Sequence, residues 1–411
     1  MKIFDVLKER GYIYQATDEA AIRKMLNEEK ITFYLGIDPT ADSLHIGHFF
    51  ALTMVRRLQE CGHRAIIIIG GATALVGDPS GKTQMRNMLS KEAVEANKKE
   101  VKNLVQRFVY MTGDNPAIML DNADWINEER YIDFLRKIGI HFNVNKMLAT
   151  DCYKKRLEEG GLTFLEMGYM LMQAYDFVYL NREYQCKLQV GGSDQWANIV
   201  AGVDLGRKLD NLDGRKVDRL FGLTCPLLVK ADGEKMGKTA SGTLWVSRDK
   251  TTVYDFYQVF INAYDEDVER LLAFFTDLEM DYIKELCQAD IVAAKKKMAY
   301  AITELVHGAE EAKQVAEASA EIFSQGSSAT MPTKEITASQ VADINILDLL
   351  KLVAIVPSKS EAKRVVEQGG LRLNNEKITD VTRTITKDDF PNNELVLQKG
   401  KKVYLKVILK G

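Results

Sequence analysis

The segment "HRAIIIIGG" (63–71) constrains the fold more than any other feature of the chain. A strand apolar on both faces must be covered on both faces, which is the condition of a parallel sheet flanked by helices. It is preceded by "HFFALTMVRRLQECG" (48–62), which reads as a helix closed by glycine, and by "KITFYLGID" (30–38), which reads as a strand. Strand, helix, strand in this order is a βαβ unit. "CKLQV" (186–190), "GGSDQW" (191–196) and "ANIVAGVDLGRKL" (197–209) repeat the theme. The expected architecture is therefore α/β: a doubly wound, Rossmann-like parallel sheet with ligands beyond the carboxyl ends of its strands.

At 411 residues the chain exceeds what one core serves, so further domains are expected. The sheet domain, with an inserted helical segment, is assigned to 1–222, and a helical domain to 223–325. A Ser/Thr/Gly-rich linker is assigned to 326–343, and a small α+β domain to 344–411. The last segment holds 13 Lys and Arg against 8 Asp and Glu, so a net +5 tail follows a −8 body. That asymmetry suits contact with a polyanion, although a solvated surface gives the same count. Five dispersed cysteines (61, 152, 186, 225, 287) without C-x-x-C argue against a disulfide framework and a zinc site, so no metal centre is expected. The longest nearly apolar run (65–77) is too short for a bilayer, and the N-terminus lacks a signal-peptide core. No membrane association and a cytoplasmic location are expected.

Within "GYMLMQAYDF" (168–177), Tyr169, Gln173 and Asp176 fall at offsets of four and seven and share one side of a helix. Such a stripe is either a solvent face, a set satisfied internally, or a binding surface. "GDPSGKT" (77–83) and "GEKMGKT" (233–239) imitate phosphate loops, but each has three residues between its glycines where the Walker motif has four. "HIGH" (45–48) sits at the turn from the first strand into the first helix, where free N–H groups and the helix dipole favour phosphate. Gly47 permits close approach of a flat ligand. No cysteine or carboxylate cluster accompanies the histidines as further metal ligands.

"DPTADSLHIGH" (38–48) with "KMGKT" (235–239) resembles the paired signatures of class I aminoacyl-tRNA synthetases. "FYLGIDPT" with Tyr34, "GGATALVGDPSGK" (70–82), Y-x-x-x-Q-x-x-D (169–176) and "QVGGSDQWANI" (189–199) narrow the likeness to the bacterial-type tyrosyl-tRNA synthetases, over nearly the whole chain. The resemblance implies activation of L-tyrosine by ATP, accompanied by Mg2+ and with no tightly bound cofactor, then transfer to tRNA(Tyr) by a homodimer. Tyr34 and Asp176 would bond the substrate phenol. Tyr169, Gln173 and Asp78 would hold its ammonium group, and Gln195 would lie near the carboxylate. Thr40, His45 and His48 would contact the ATP phosphates and ribose, with Gly36, Asp38, Gly47, Gly192 and Asp194 around the nucleotide. Lys82, Arg86, Lys235 and Lys238 would neutralise departing pyrophosphate.

The signature's usual Ser-Lys-Ser ending appears here as Gly237-Lys238-Thr239, and Leu35 replaces a small polar residue often found beside the ribose. The C-terminal segment resembles the S-four-like RNA-binding domain. Its Lys359, Lys363, Arg364 and Arg372 lie on an expected helix–turn–helix and the strand after Gly369-Gly370. No aromatic residue interleaves them, which favours backbone contact over base stacking. A tryptophanyl enzyme, a small nucleotidyltransferase with a related histidine turn, and a non-catalytic RNA-binding derivative are the competing readings.

Overall fold

The sheet of the first unit is built from the segments whose apolar runs demand two covered faces. Its parallel strands are β2 (Thr32–Ile37), β3 (Arg64–Ile69), β4 (Ile118–Asp121), β5 (Cys186–Gly192) and β6 (Phe221–Cys225). A short strand β1 (Gln15–Ala16) adds antiparallel to β6, and the spatial order is β1-β6-β5-β2-β3-β4. The computed structural model describes residues 2–80, 88–209, 219–239, 242–325, 333–341, 344–374, 376–400 and 403–410. It divides into two units, Met1–Gly308 and Ala309–Gly411.

The chain runs from β2 to β3 and β4 on one side, and from β5 to β6 on the other, so the order reverses between β2 and β5. Tyr34 marks the place: it pairs in register with Ile66 of β3 and Gln189 of β5. In doubly wound sheets the crevice at such a reversal receives the ligand. Helix α1 (Ile46–Glu60) connects β2 to β3 and ends at Gly62, whose φ of +86° suits glycine and turns the chain into the next strand. Helix α2 (Phe164–Tyr184) precedes β5. Its first turn is fixed by a capping box between Thr163 and Glu166, and Glu166 also pairs with buried Arg156 at 2.8 Å. Helix α3 (Trp196–Leu209) returns from β5 to the sheet.

The division assigned at residue 222 falls inside β6. In the strand Gly222 is small because a Cβ there would lie 2.3 Å from Cγ2 of Ile199 in α3. Helices α4 (Val253–Ile261), α5 (Asp265–Phe275), α6 (Met280–Ala289) and α7 (Ile291–His307) belong to the first unit rather than to a domain running to 325. They are tied to the N-terminal segment: the Arg10 guanidinium donates to the carbonyls of Ala273, Thr276 and Leu278 at 2.9, 2.8 and 2.7 Å. The Tyr12 ring packs against both Phe50 and Phe274.

The second unit begins with the helix Ala309–Gln325. Of the segment assigned as linker, Thr333–Thr337 is a strand, paired in parallel with Val403–Lys410 at the edge of a five-stranded sheet. Only Ile336 of that strand is buried, so its polar composition is that of a sheet edge. Helices Ile346–Leu352 and Lys359–Glu367, then Gly369-Gly370 and the strand Leu371–Leu373, follow the expected order. Their apolar faces meet in a core that includes Leu349, Ala362, Val366, Leu371 and Leu397.

Candidate active site

A cavity of about 480 Å³ opens at the carboxyl ends of β2 and β5, beside the N-terminus of α1. Helix α2 closes one end of it. This helix is buried nearly all round, so the stripe Tyr169, Gln173, Asp176 is no solvent face; all three line the cavity. Asp176 is 3% exposed, and its two oxygens accept from Asn122 Nδ2 at 3.0 Å and Trp125 Nε1 at 2.8 Å. Burial pushes its carboxyl up to about 8, against the two donors, which favour the ionised form. Tyr34 reaches the same end from β2, with its ring edge-on to Phe177 at 5.2 Å. Its hydroxyl is buried and has no hydrogen-bond partner among the described residues. Burial, then the nearby Asp176 charge, hold that hydroxyl well above the usual phenol range. Buried polar atoms are normally satisfied, and an orphan at a cavity wall points to a ligand.

From Asp176 a chain of hydrogen bonds runs along the cavity wall. Asn122 Nδ2 also donates to Thr73 Oγ1 at 3.0 Å, Thr73 Oγ1 donates to Asp38 Oδ1 at 2.7 Å, and Tyr169 OH donates to Asp38 Oδ2 at 2.8 Å. Gly70 is glycine because a Cβ would fall 2.0 Å from Asp38 Oδ1, on top of this chain. Asp38 therefore organises the wall shared with Tyr169, a connection its resemblance-implied place beside the nucleotide does not suggest. Opposite, Asp78 accepts from Gln195 Nε2 at 2.6 Å and from the Ser80 amide at 2.9 Å. The Oε1 atoms of Gln173 and Gln189 are buried without partners among the described residues. Carboxylates and amide oxygens thus gather where a cationic group would be welcome.

At the other end His45 caps α1, its Nδ1 accepting from the His48 amide at 3.2 Å, and the two imidazoles stack with centroids 3.7 Å apart. A Cβ on Gly47 would sit 3.0 Å from His45 Cε1, a tight contact that the stacked histidine ring would have to yield to by a few tenths of an ångström. The Ile46 amide, one of the free donors expected for phosphate, instead donates to the Leu244 carbonyl at 3.1 Å. Gly36, Thr40, Gly192 and Asp194 line the cavity. A Cβ on Gly36 would meet nothing within 4 Å, which leaves a flat approach to the β2 backbone. Lys235 lines the rim, with its backbone bridged to Val229. Lys238 stands in a two-residue strand, Lys238–Thr239, paired with Gly242–Thr243; its side chain lies outside the described residues, as do Lys82 and Arg86 entirely. Leu244 donates to the Gly237 carbonyl at 2.7 Å and accepts from Ile46, which links the "KMGKT" turn to the "HIGH" helix through one residue.

Asn122, Trp125 and Thr73 were not singled out by sequence. Their signal is faint: Asn122 and Trp125 follow the short strand β4 in "LDNADW", and Thr73 follows β3 in "GGAT", each just past a carboxyl strand end. Among the described residues no group of three or more His, Cys, Asp or Glu converges as metal ligands would. No described helix is long and apolar enough to cross a membrane. In the second unit Lys359, Lys363, Arg364 and Arg372 are all exposed. Lys359 pairs with Asp348, and Lys363 lies 3.7 Å from Glu367.

Residues 26–324 match the family model of class I tRNA synthetases for tryptophan and tyrosine (W and Y), and residues 323–407 match that of the SYY-like C-terminal domain of tyrosine–tRNA ligases. A tyrosine–tRNA ligase of Clostridium tetani is 48% identical over 411 residues, covering 99% of both chains. One of Clostridium botulinum is 48% identical over 408 residues, covering 98% of both. Among solved structures, a C-terminally truncated mitochondrial tyrosyl-tRNA synthetase of Aspergillus nidulans superposes with a TM-score of 0.69 at 28% identity, over 78% of this chain and 94% of that one. Its Coccidioides posadasii counterpart gives 0.65 at 30% identity, over 77% and 92%.

Proposed function

Because the chain belongs to the class I tRNA synthetase family for tryptophan and tyrosine, we propose that it is a tyrosine–tRNA ligase. It activates L-tyrosine with ATP to tyrosyl-adenylate and pyrophosphate, then transfers the tyrosyl group to the terminal adenosine of tRNA(Tyr). The observation that carries the choice of amino acid is the closed end of the cavity. There a buried carboxylate, Asp176, stands near a buried hydroxyl, that of Tyr34, with no partner among the described residues. A phenol both donates and accepts, so it serves both groups. An indole N–H can only donate and leaves Tyr34 unpaired; a phenyl ring serves neither.

With the phenol so placed, Tyr169, Gln173 and Asp78 hold the ammonium group, and Gln195, bonded to Asp78, lies toward the carboxylate. That carboxylate is itself the nucleophile on the α-phosphorus, so no serine, cysteine or general base is needed. Catalysis is positioning plus charge stabilisation. His45, His48 and Thr40 contact the phosphates of ATP, which enters with Mg2+. Gly36, Asp38, Gly47, Gly192 and Asp194 border the nucleotide, and Lys82, Arg86, Lys235 and Lys238 take up the charge of departing pyrophosphate. Lys359, Lys363, Arg364 and Arg372 contact the tRNA backbone. Exposed Tyr131, Ile132, Ile140, Val144 and Phe164 support a homodimer interface in this stretch of the chain. A cytoplasmic location belongs to the same reading.

Asp176→Ala tests it. Tyrosine-dependent pyrophosphate exchange should fall by about a hundredfold or more in kcat/KM, because the phenol loses its acceptor and Asn122 and Trp125 lose theirs. Circular dichroism reports whether the variant is folded. A folded Asp176→Ala enzyme with parental tyrosine kinetics overturns the assignment.

A further inference from the structure

The turn that leads into "KMGKT" is fastened to the helical segment by one buried carboxylate. Leu228–Met236 forms a closed turn: Met236 donates to the Leu228 carbonyl at 2.8 Å, Lys230 donates to that of Glu234 at 2.7 Å, and Val229 bridges Lys235. Asp267, in the first turn of α5, is 2% exposed. Its Oδ2 accepts from the Ala231 amide at 3.1 Å, and its Oδ1 accepts from Arg270 Nη2 at 2.7 Å. Arg270 Nη2 in turn donates to the Val229 carbonyl. One carboxylate and one guanidinium therefore grip the turn at an N–H and a C=O two residues apart, directly across from Lys235.

Leu228 and Met236 at the two ends of the turn are buried, while its middle borders a second cavity of about 220 Å³, lined by Met236, Phe260, Tyr264 and Asp267 among others. The other side-chain polar contacts of the turn among the described residues are exposed: Lys230 with Glu234 at 3.2 Å, the Glu234 amide donating to Asp232 at 2.9 Å, and Tyr264 OH donating to Asp232 at 3.0 Å. Exposed contacts hold geometry weakly, whereas a charge-assisted bond from a buried carboxylate holds it well.

We propose that Asp267, braced by Arg270, is a positioning residue for adenylate formation: it sets the backbone on which Lys235 stands and so aims the Lys235 ammonium into the cavity. This rests on the reading of Lys235 as a contact of departing pyrophosphate. Asp267 touches no substrate and acts through the turn.

The test is single-turnover formation of tyrosyl-adenylate by the full-length chain with ATP and Mg2+, for Lys235→Ala, Asp267→Ala, the double variant and Asp267→Asn. Asp267→Ala should slow the step by about tenfold or more while the Kd for tyrosine stays within about twofold. Asp267→Asn keeps one acceptor for the Ala231 amide and should recover part of the rate. In the Lys235→Ala background, Asp267→Ala should add less than about threefold, because its route of action is already cut. A parental rate for Asp267→Ala overturns the proposal, and so does a full multiplicative loss in the Lys235→Ala background. A parental rate for Lys235→Ala alone overturns instead the role given to Lys235. If Asp267→Ala fails to fold, the same comparison with Asp267→Asn decides: a parental rate, or an undiminished loss beside Lys235→Ala, overturns the proposal.

Discussion

Replacing Tyr34 with phenylalanine should leave the free protein as stable as before or more so, while damaging its choice of amino acid. A core Tyr→Phe change usually removes a satisfied hydrogen bond and costs about 1 kcal/mol. Here the hydroxyl is buried with no partner among the described residues, and an unpaired buried hydroxyl is itself a cost of about 1–3 kcal/mol. Removing it should hold or raise the melting temperature, by about 2 °C for each kcal/mol recovered. The edge-on contact with Phe177 survives, because the ring stays. With tyrosine bound the balance reverses, since the variant lacks a partner that the phenol otherwise has. The ratio of kcat/KM for tyrosine over phenylalanine should shrink by about 5- to 150-fold, the equivalent of about 1–3 kcal/mol. Thermal shift with and without tyrosine, beside exchange kinetics for both amino acids, reads both halves. A variant that melts several degrees lower and keeps its discrimination would show instead that the hydroxyl is satisfied within the protein.

Asp176 gives a pH-dependent companion. Its folded-state value near 8 lies above the ordinary carboxylate value of 3.8, so the stability it contributes is complete below about pH 4 and is lost as pH rises through 8. Asp176→Asn lacks that loss. The stability of the variant relative to the parent should therefore climb between pH 4 and pH 8 and then level, and a difference that stays flat or runs the other way counts against a buried, elevated carboxyl. Gly36→Val should leave thermal stability nearly unchanged, because a Cβ there meets nothing within 4 Å, yet it should raise the KM for ATP. An unchanged KM would remove Gly36 from the nucleotide wall.

The parts of the fold that were legible in sequence are those where one period dominates. The unit β2–α1–β3 declared itself because AIIII can be covered only from both sides and because Gly62 ends the helix before it. Strand β4 is four residues long at the sheet edge, with three of them only partly buried, and has too little pattern to read. The strand Thr333–Thr337 reads as linker because an edge strand is polar wherever it is exposed. At the site, the spacing of Tyr169, Gln173 and Asp176 established that they share a face, but not what that face meets. The partners of Asp176 lie 54 and 51 residues away in sequence, at Asn122 and Trp125 just past β4, and only the tertiary fold brings them to α2. The Asp267 brace is equally non-local, 36 residues from the amide it holds.

If the buried pair Tyr34 and Asp176 selects the amino acid, the chain activates tyrosine and neither phenylalanine nor tryptophan. The most direct test is amino-acid-dependent exchange of pyrophosphate into ATP, measured for the purified full-length chain with each of the standard amino acids in turn. Exchange is expected with L-tyrosine, and none above background with phenylalanine or tryptophan at the same concentration. Exchange driven by tryptophan, or equally by phenylalanine, would contradict it, as would a folded protein that supports exchange with no amino acid at all.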